Sequence, residues 1–134
     1  GHEVGAMTRT VTCLLYTNDL MAEVRLTEAL RKAGFEVQPA GGMGAVREAL
    51  ETGGGDADAT VVVVELTAPD ALAAGRLSAE AGALVLAFGP HVDGAALDAA
   101  SDAGAAAVYP RGRFMREAPS LVEAAMGTFG GRTT

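Results

Sequence analysis

Apolar and polar positions along this chain alternate between two periodicities. The run TVTCLLY, residues 10–16, is short and continuously apolar, which is typical of a strand buried on both faces of a sheet. Residues 19–33 change to helical spacing: Leu26 and Leu30 lie one turn apart, and Gly34 follows as a stop. The pattern therefore predicts a strand followed by a helix.

The same alternation is found throughout the rest of the chain. Strands are predicted at residues 10–16, 35–40, 59–66, 83–89 and 105–110. Helices are predicted at residues 19–33, 44–52, 69–82 and 93–104, and from Pro119 to Phe129. Five β–α units in series imply a five-stranded parallel sheet with helices on both faces, joined by right-handed crossovers. The predicted class is a doubly wound α/β fold of flavodoxin-like (βα)5 type.

Size and charge restrict the function classes. The chain has 134 residues, of which 49% are hydrophobic, and its net charge is −7. This length suits one domain, and no apolar run approaches the roughly 20 residues that span a bilayer. An acidic chain without a Lys/Arg cluster is a poor match for a phosphate backbone, so we expect a protein partner and no direct contact with nucleic acid or membrane.

The ends of the chain and its cysteine carry further expectations. Residues 1–6, GHEVGA, match no element and are interpreted as a remnant of recombinant expression, with the domain at residues 7–129 and a tail or linker at 130–134. No secretory signal is recognised. Cys13 is the single cysteine and lies within VTCLLY, which predicts a buried thiol and agrees with a reducing cytoplasm.

Candidate chemistry lies where the strands end, because ligand sites of such sheets gather outside the carboxyl ends of the strands. Four valines run into Glu65 at the end of the third strand, although a carboxylate is unusual in so apolar a segment. His91 is predicted to be an exposed loop residue, since no second metal ligand lies at suitable spacing. The other residues at this edge are Thr17, Asn18, Asp19, Ala87, Phe88, Gly89, Pro110 and Arg111.

The segments TNDL, VVVVELTAP and GAAAVYPRGRF resemble the receiver domain of bacterial two-component response regulators, and the resemblance covers residues 8–129. It implies an Asp at the end of the third strand that accepts a phosphoryl group, and an acidic pair after the first strand that holds Mg²⁺. It also implies a Thr or Ser after the fourth strand and a Lys after the fifth, both facing the phosphoryl oxygens. The corresponding positions here are Glu65 for the phosphoacceptor, Thr17 and Asn18 for the acidic pair, Ala87 or Phe88 for the hydroxyl, and Arg111 for the lysine.

Each of these positions departs from the family pattern. Asp19 and Glu65 are the carboxylates left to bind Mg²⁺, and Asn18 and Asp19 both also suit a turn and helix cap. Glu65 extends one methylene further than Asp, so it could act as a permanent partial mimic of the phosphorylated state, paired with Arg111. The alternative is a solvated charge that ends the strand.

These departures predict a pseudo-receiver that signals by binding another protein, without phosphoryl transfer, catalysis, metal or cofactor. Two alternatives remain: an unconventional phosphorylatable receiver that uses Asp19 or another acid, and a small-ligand-binding flavodoxin-like module. GGMG at residues 41–44 lacks the Lys-Ser/Thr ending of a phosphate loop. No spacing supports a catalytic triad or dyad.

The resemblance also implies a contact face formed by the fourth helix, the fifth strand and the last helix. These segments are rich in alanine and poor in charge, so backbones could approach closely. A protein partner or a second copy of the chain would bind there. We expect Ala99 and Ala103 on the exposed face of the fourth helix and Tyr109 as an aromatic anchor if it turns outward.

Overall fold

The computed structural model describes residues 11–52, 60–90 and 92–131, with side chains described as far as residue 127. The strands are β1 (Thr12–Tyr16), β2 (Glu36–Pro39), β3 (Thr60–Glu65), β4 (Leu84–Gly89) and β5 (Ala107–Pro110). The helices are α1 (Leu20–Lys32), α2 (Met43–Thr52), α3 (Ala71–Glu80), α4 (Gly94–Asp102) and α5 (Arg111–Gly131). His91 and the predicted remnant at residues 1–6 lie outside the described residues, and the domain limits stay predictions.

All strands pair in parallel in one sheet with the order β2-β1-β3-β4-β5. The predicted flavodoxin-like (βα)5 fold is confirmed. None of the helices in the described ranges is both long and apolar enough to cross a membrane.

The valine run of β3 is explained by its place in the middle of the sheet. Val61 and Val63 pack into a core on the side of α1 and α5, whereas Val62 and Val64 pack into a second core on the side of α2 and α3. Both faces of β3 are therefore apolar.

Cys13 is fully buried in the core on the side of α1 and α5, so the predicted buried thiol is confirmed. Burial raises the pKa of this thiol to about 12.

Gly104 ends α4 where two conditions require glycine. Its φ of +98° lies in the left-handed region, which side chains other than glycine rarely adopt. A Cβ on Gly104 would also lie 2.4 Å from the Cβ of Ala79 on α3, which is far inside van der Waals contact. The close approach of α4 to α3 therefore depends on this glycine.

The last helix starts eight residues earlier than predicted. α5 begins at Arg111 and not at Pro119, and its two halves meet at Glu117, whose φ of −124° and ψ of 17° are not helical. Pro119 is therefore the start of the second half only, where its missing N–H is tolerated. The first half gives little signal in the sequence because Phe114 is the only buried residue between Arg111 and Glu117.

The predicted exposure of α4 is wrong at one of its two positions. Ala103, directly after α4, is 3% exposed and packs near Val85, Ala87 and Gly75, while Ala99 is half-buried. Ala103 therefore belongs to the contact between α4, α3 and the sheet and cannot anchor a partner.

Candidate functional site

Glu65, the last residue of β3, has a carboxylate bonded on both oxygens. Its side chain is only 3% exposed, which contradicts the alternative of a solvated charge. The Thr17 hydroxyl donates a hydrogen bond to Oε1, and Nη1 of Arg111 donates to Oε2 at 2.6 Å. The contact between Glu65 and Arg111 that the sequence suggested is therefore present.

Arg111 also binds a second carboxylate. Its Nη2 donates to Oδ2 of Asp19 at 2.6 Å, so one guanidinium joins Asp19 and Glu65. The other oxygen of Asp19 accepts from the backbone N–H groups of Met21 at 3.0 Å and Ala22 at 3.2 Å, and so caps α1. Of the two residues predicted as turn and cap, Asp19 is the N-cap, and its ion pair with Arg111 is an additional role.

Thr17 completes the network between the two carboxylates. Its Oγ1 accepts from the backbone N–H of Asp19 at 3.0 Å while its hydroxyl hydrogen is donated to Glu65. Sequence reasoning counted Thr17 only as a lost acidic ligand. The position of Thr17, one residue beyond the end of β1, indicated that it lies at the site. Its hydrogen-bond partner could be identified only from the three-dimensional structure. We call the four residues Thr17, Asp19, Glu65 and Arg111 the latch.

The sheet register explains why residues so distant in sequence meet. Tyr16 of β1 is paired with Val64 of β3, so the next residues, Thr17 and Glu65, reach the same edge. Pro110 ends β5 beside Gly89 of β4, and Arg111 follows directly. Parallel pairing thus brings the latch together at the carboxyl ends of the strands, as expected for this class.

The latch affects the charge state of Asp19. The N–H of Ala22, and next the Arg111 guanidinium, hold the pKa of the Asp19 carboxyl below its usual value. The folded state thus favours the ionised form, so this stabilisation is present above the unfolded pKa and is lost as the pH falls through the lowered one. The Asp19 side chain is 36% exposed and solvent screens its pair, whereas the pair with buried Glu65 is far less screened.

The residues at the predicted hydroxyl position belong to the core. Ala87 and Phe88 are 2% and 1% exposed, and the Phe88 ring stacks on Phe114 with centroids 5.0 Å apart. Neither of these residues carries a hydroxyl. Asn18, the second position of the predicted acidic pair, is exposed.

Tyr109, the predicted anchor, is half-buried and turned inward against Phe114, with ring centroids 5.6 Å apart. The guanidinium carbon of Arg113 lies 5.7 Å from the centroid of the Tyr109 ring. Burial is the main cause that raises the pKa of its hydroxyl. Tyr109 is therefore chiefly a packing residue, with part of its surface left for solvent.

Comparison with solved structures identifies the architecture. A response regulator from Thermotoga maritima superimposes with a TM-score of 0.74 at 18% identity, over 89% of this chain and 99% of that one. A CheY-like receiver domain protein from Methanospirillum hungatei gives a TM-score of 0.77 at 13% identity, over 92% and 99%. The fold is that of a receiver domain.

A third similar structure is a two-component response regulator of the LuxR family from Aurantimonas. Its TM-score is 0.73 at 24% identity, over 90% of this chain and 87% of that one. No protein-family model and no curated protein sequence matches the chain. At these identities the likeness establishes the receiver fold, and the chemistry has to be argued from the latch itself.

Proposed function

We propose that this receiver-like domain is a signalling module that acts through protein contact, without phosphoryl transfer or catalysis. The observation that supports this most directly is the buried Glu65 carboxylate, whose oxygens are bonded to Thr17 and Arg111. A nucleophilic carboxylate needs a reactive lone pair with an open in-line path to phosphorus. In the latch, Glu65 is buried and each of its oxygens already accepts a hydrogen bond, which lowers the nucleophilicity of both.

Asp19 offers no better nucleophile, which weighs against the alternative of an unconventional phosphorylatable receiver. One of its oxygens is paired with Arg111, and the other accepts two backbone N–H groups at the start of α1. Phosphorylation of either oxygen would remove the carboxylate charge on which both the cap and the ion pair depend. We propose that the fixed charges of the latch keep the domain in one signalling state, in a bacterial cytoplasm that also suits the buried thiol of Cys13.

The first test is phosphoryl incorporation. We expect no added mass after incubation with a small phosphodonor and Mg²⁺, because the carboxylates of the latch are already bonded. Intact-mass spectrometry would measure this, with a phosphorylatable receiver domain treated in parallel as the control. An acid-labile gain of one phosphoryl group would contradict the proposal, and peptide mapping would then show whether Asp19 or another acid accepted it.

For the partner we propose the face made by α4, β5 and α5, as the receiver resemblance implied. Leu97 on α4 is 42% exposed and replaces Ala103 as its apolar anchor. A second apolar surface exists on α1, where Leu20, Met21 and Val24 are 70%, 67% and 53% exposed. Leu97 lies on α4 and the second surface lies on α1, so matched variants on the two helices can distinguish them.

Leu97→Glu is expected to weaken self-association or partner binding at least about tenfold, since a charge would replace an apolar contact. Met21→Glu is the matched control on α1 and should leave association unchanged. Solution mass by light scattering and affinity by calorimetry would measure both, with circular dichroism to check the fold. Loss of association in Met21→Glu alone would move the interface to α1.

A further inference from the structure

The guanidinium of Arg111 lies between two carboxylates, where receiver chemistry would require a divalent cation. Oδ2 of Asp19 and Oε2 of Glu65 are each 2.6 Å from a different nitrogen of this one group. Mg²⁺ needs near-octahedral oxygen ligands, usually one or two carboxylates with several waters. The two oxygens that could begin such a shell are already occupied by a cation that belongs to the chain.

This donor set does not fit a bound Mg²⁺. A metal ion at the two oxygens would have to displace the guanidinium or lie beside it, where the like charges repel. No group of three or more His, Cys, Asp or Glu that could hold a metal lies within the described ranges. We infer that Arg111 is a built-in cation that closes the Asp19–Glu65 pair to divalent metal ions.

The position of Arg111 favours it over a dissolved ion. Its backbone directly follows Pro110 at the end of β5, so the cation is supplied by the chain at a fixed place and does not depend on metal concentration. The guanidinium stays charged over the whole physiological pH range, and its planar fork suits two acceptors at once. The latch therefore keeps its charge whether or not Mg²⁺ is present. This inference rests on the proposed function for its role in signalling, but its chemistry can be tested alone.

The test compares the binding of Mn²⁺, a paramagnetic probe of divalent sites, by water-proton relaxation. The wild-type domain should bind Mn²⁺ only weakly, and replacing Glu65 with Gln should not change that. Arg111→Met should tighten Mn²⁺ binding at least about tenfold, because the carboxylates of Asp19 and Glu65 are then no longer paired with a guanidinium and can bind the metal ion. Arg116→Met is the matched control, since Arg116 lies on the exposed side of α5 and should leave the wild-type affinity unchanged.

One further variant makes the outcome decisive. Arg111→Met with Glu65→Gln should lose the gained affinity, because only one of the two carboxylates then remains. The inference is overturned if the wild-type domain binds Mn²⁺ at a site that Glu65→Gln abolishes, a result that does not require the Arg111 variants to fold. It is equally overturned if folded Arg111→Met gains no affinity. Phosphoryl incorporation is measured separately, so failure of either idea can be recognised.

Discussion

Replacing Arg111 with methionine is expected to lower the free energy of unfolding by about 2–3 kcal/mol at neutral pH. The variant keeps much of the length of the side chain but leaves the carboxylate of Glu65, 3% exposed, with the Thr17 hydroxyl as its one remaining partner among the described residues. An unpaired buried charge costs more than the pair contributed, so the loss should exceed that of an exposed ion pair. Urea unfolding followed by circular dichroism would measure it.

Two comparisons test whether this loss comes from the buried charge. Arg116→Met, an exposed position on the same helix, should change stability by no more than about 0.5 kcal/mol. Adding Glu65→Gln to Arg111→Met should recover part of the loss, because the remaining side chain is neutral. Equal losses in Arg111→Met and in the double variant would show that Arg111 stabilises the fold through packing and not through Glu65.

The strands could be predicted from the sequence because their side chains leave few alternatives. VVVV supplies apolar side chains to both faces of a strand, as the interior of a parallel sheet requires, and β3 lies between β1 and β4. Gly34 and Gly104, which the pattern predicts as helix stops, have φ of +103° and +98° after α1 and α4. The first half of α5 has no apolar stripe that would predict a helix. Between Arg111 and Glu117, Phe114 is the one residue that packs fully into the core.

The site could be predicted only in part, for a physical reason. A strand-end position can be counted along the sequence, so Glu65 and Arg111 were correctly placed near each other. The hydrogen-bond partner of a hydroxyl does not follow from its position in the sequence, so the bond from Thr17 to Glu65 was not predicted. Asp19 has two oxygens with different partners, of which only the cap is local in sequence.

The misplaced exposure of Ala103 has another origin. A helix shows which face it buries through a contrast between apolar and polar side chains. In α4 and the residue after it, alanine stands at exposed position 95, at half-buried positions 96 and 99, and at buried positions 100 and 103. Packing against α3 and the sheet therefore determines which face of α4 is buried. The sequence of α4 alone does not predict that face.

Ala103→Glu is consequently expected to unfold the domain in part or completely, with a loss of at least about 3 kcal/mol. Ala103 is 3% exposed and lies among Val85, Ala87 and Gly75, where a carboxylate would find apolar neighbours. Ala99→Arg, at a half-buried position of the same helix, should cost about 1 kcal/mol or less, because a long side chain there can extend into solvent. Thermal unfolding of both variants and the wild-type domain would measure the difference. An Ala103→Glu variant that melted at the wild-type temperature would contradict this expectation. It would mean that α4 can move on the sheet to expose position 103, so that burial of Ala100 and Ala103 does not determine which face of α4 is exposed.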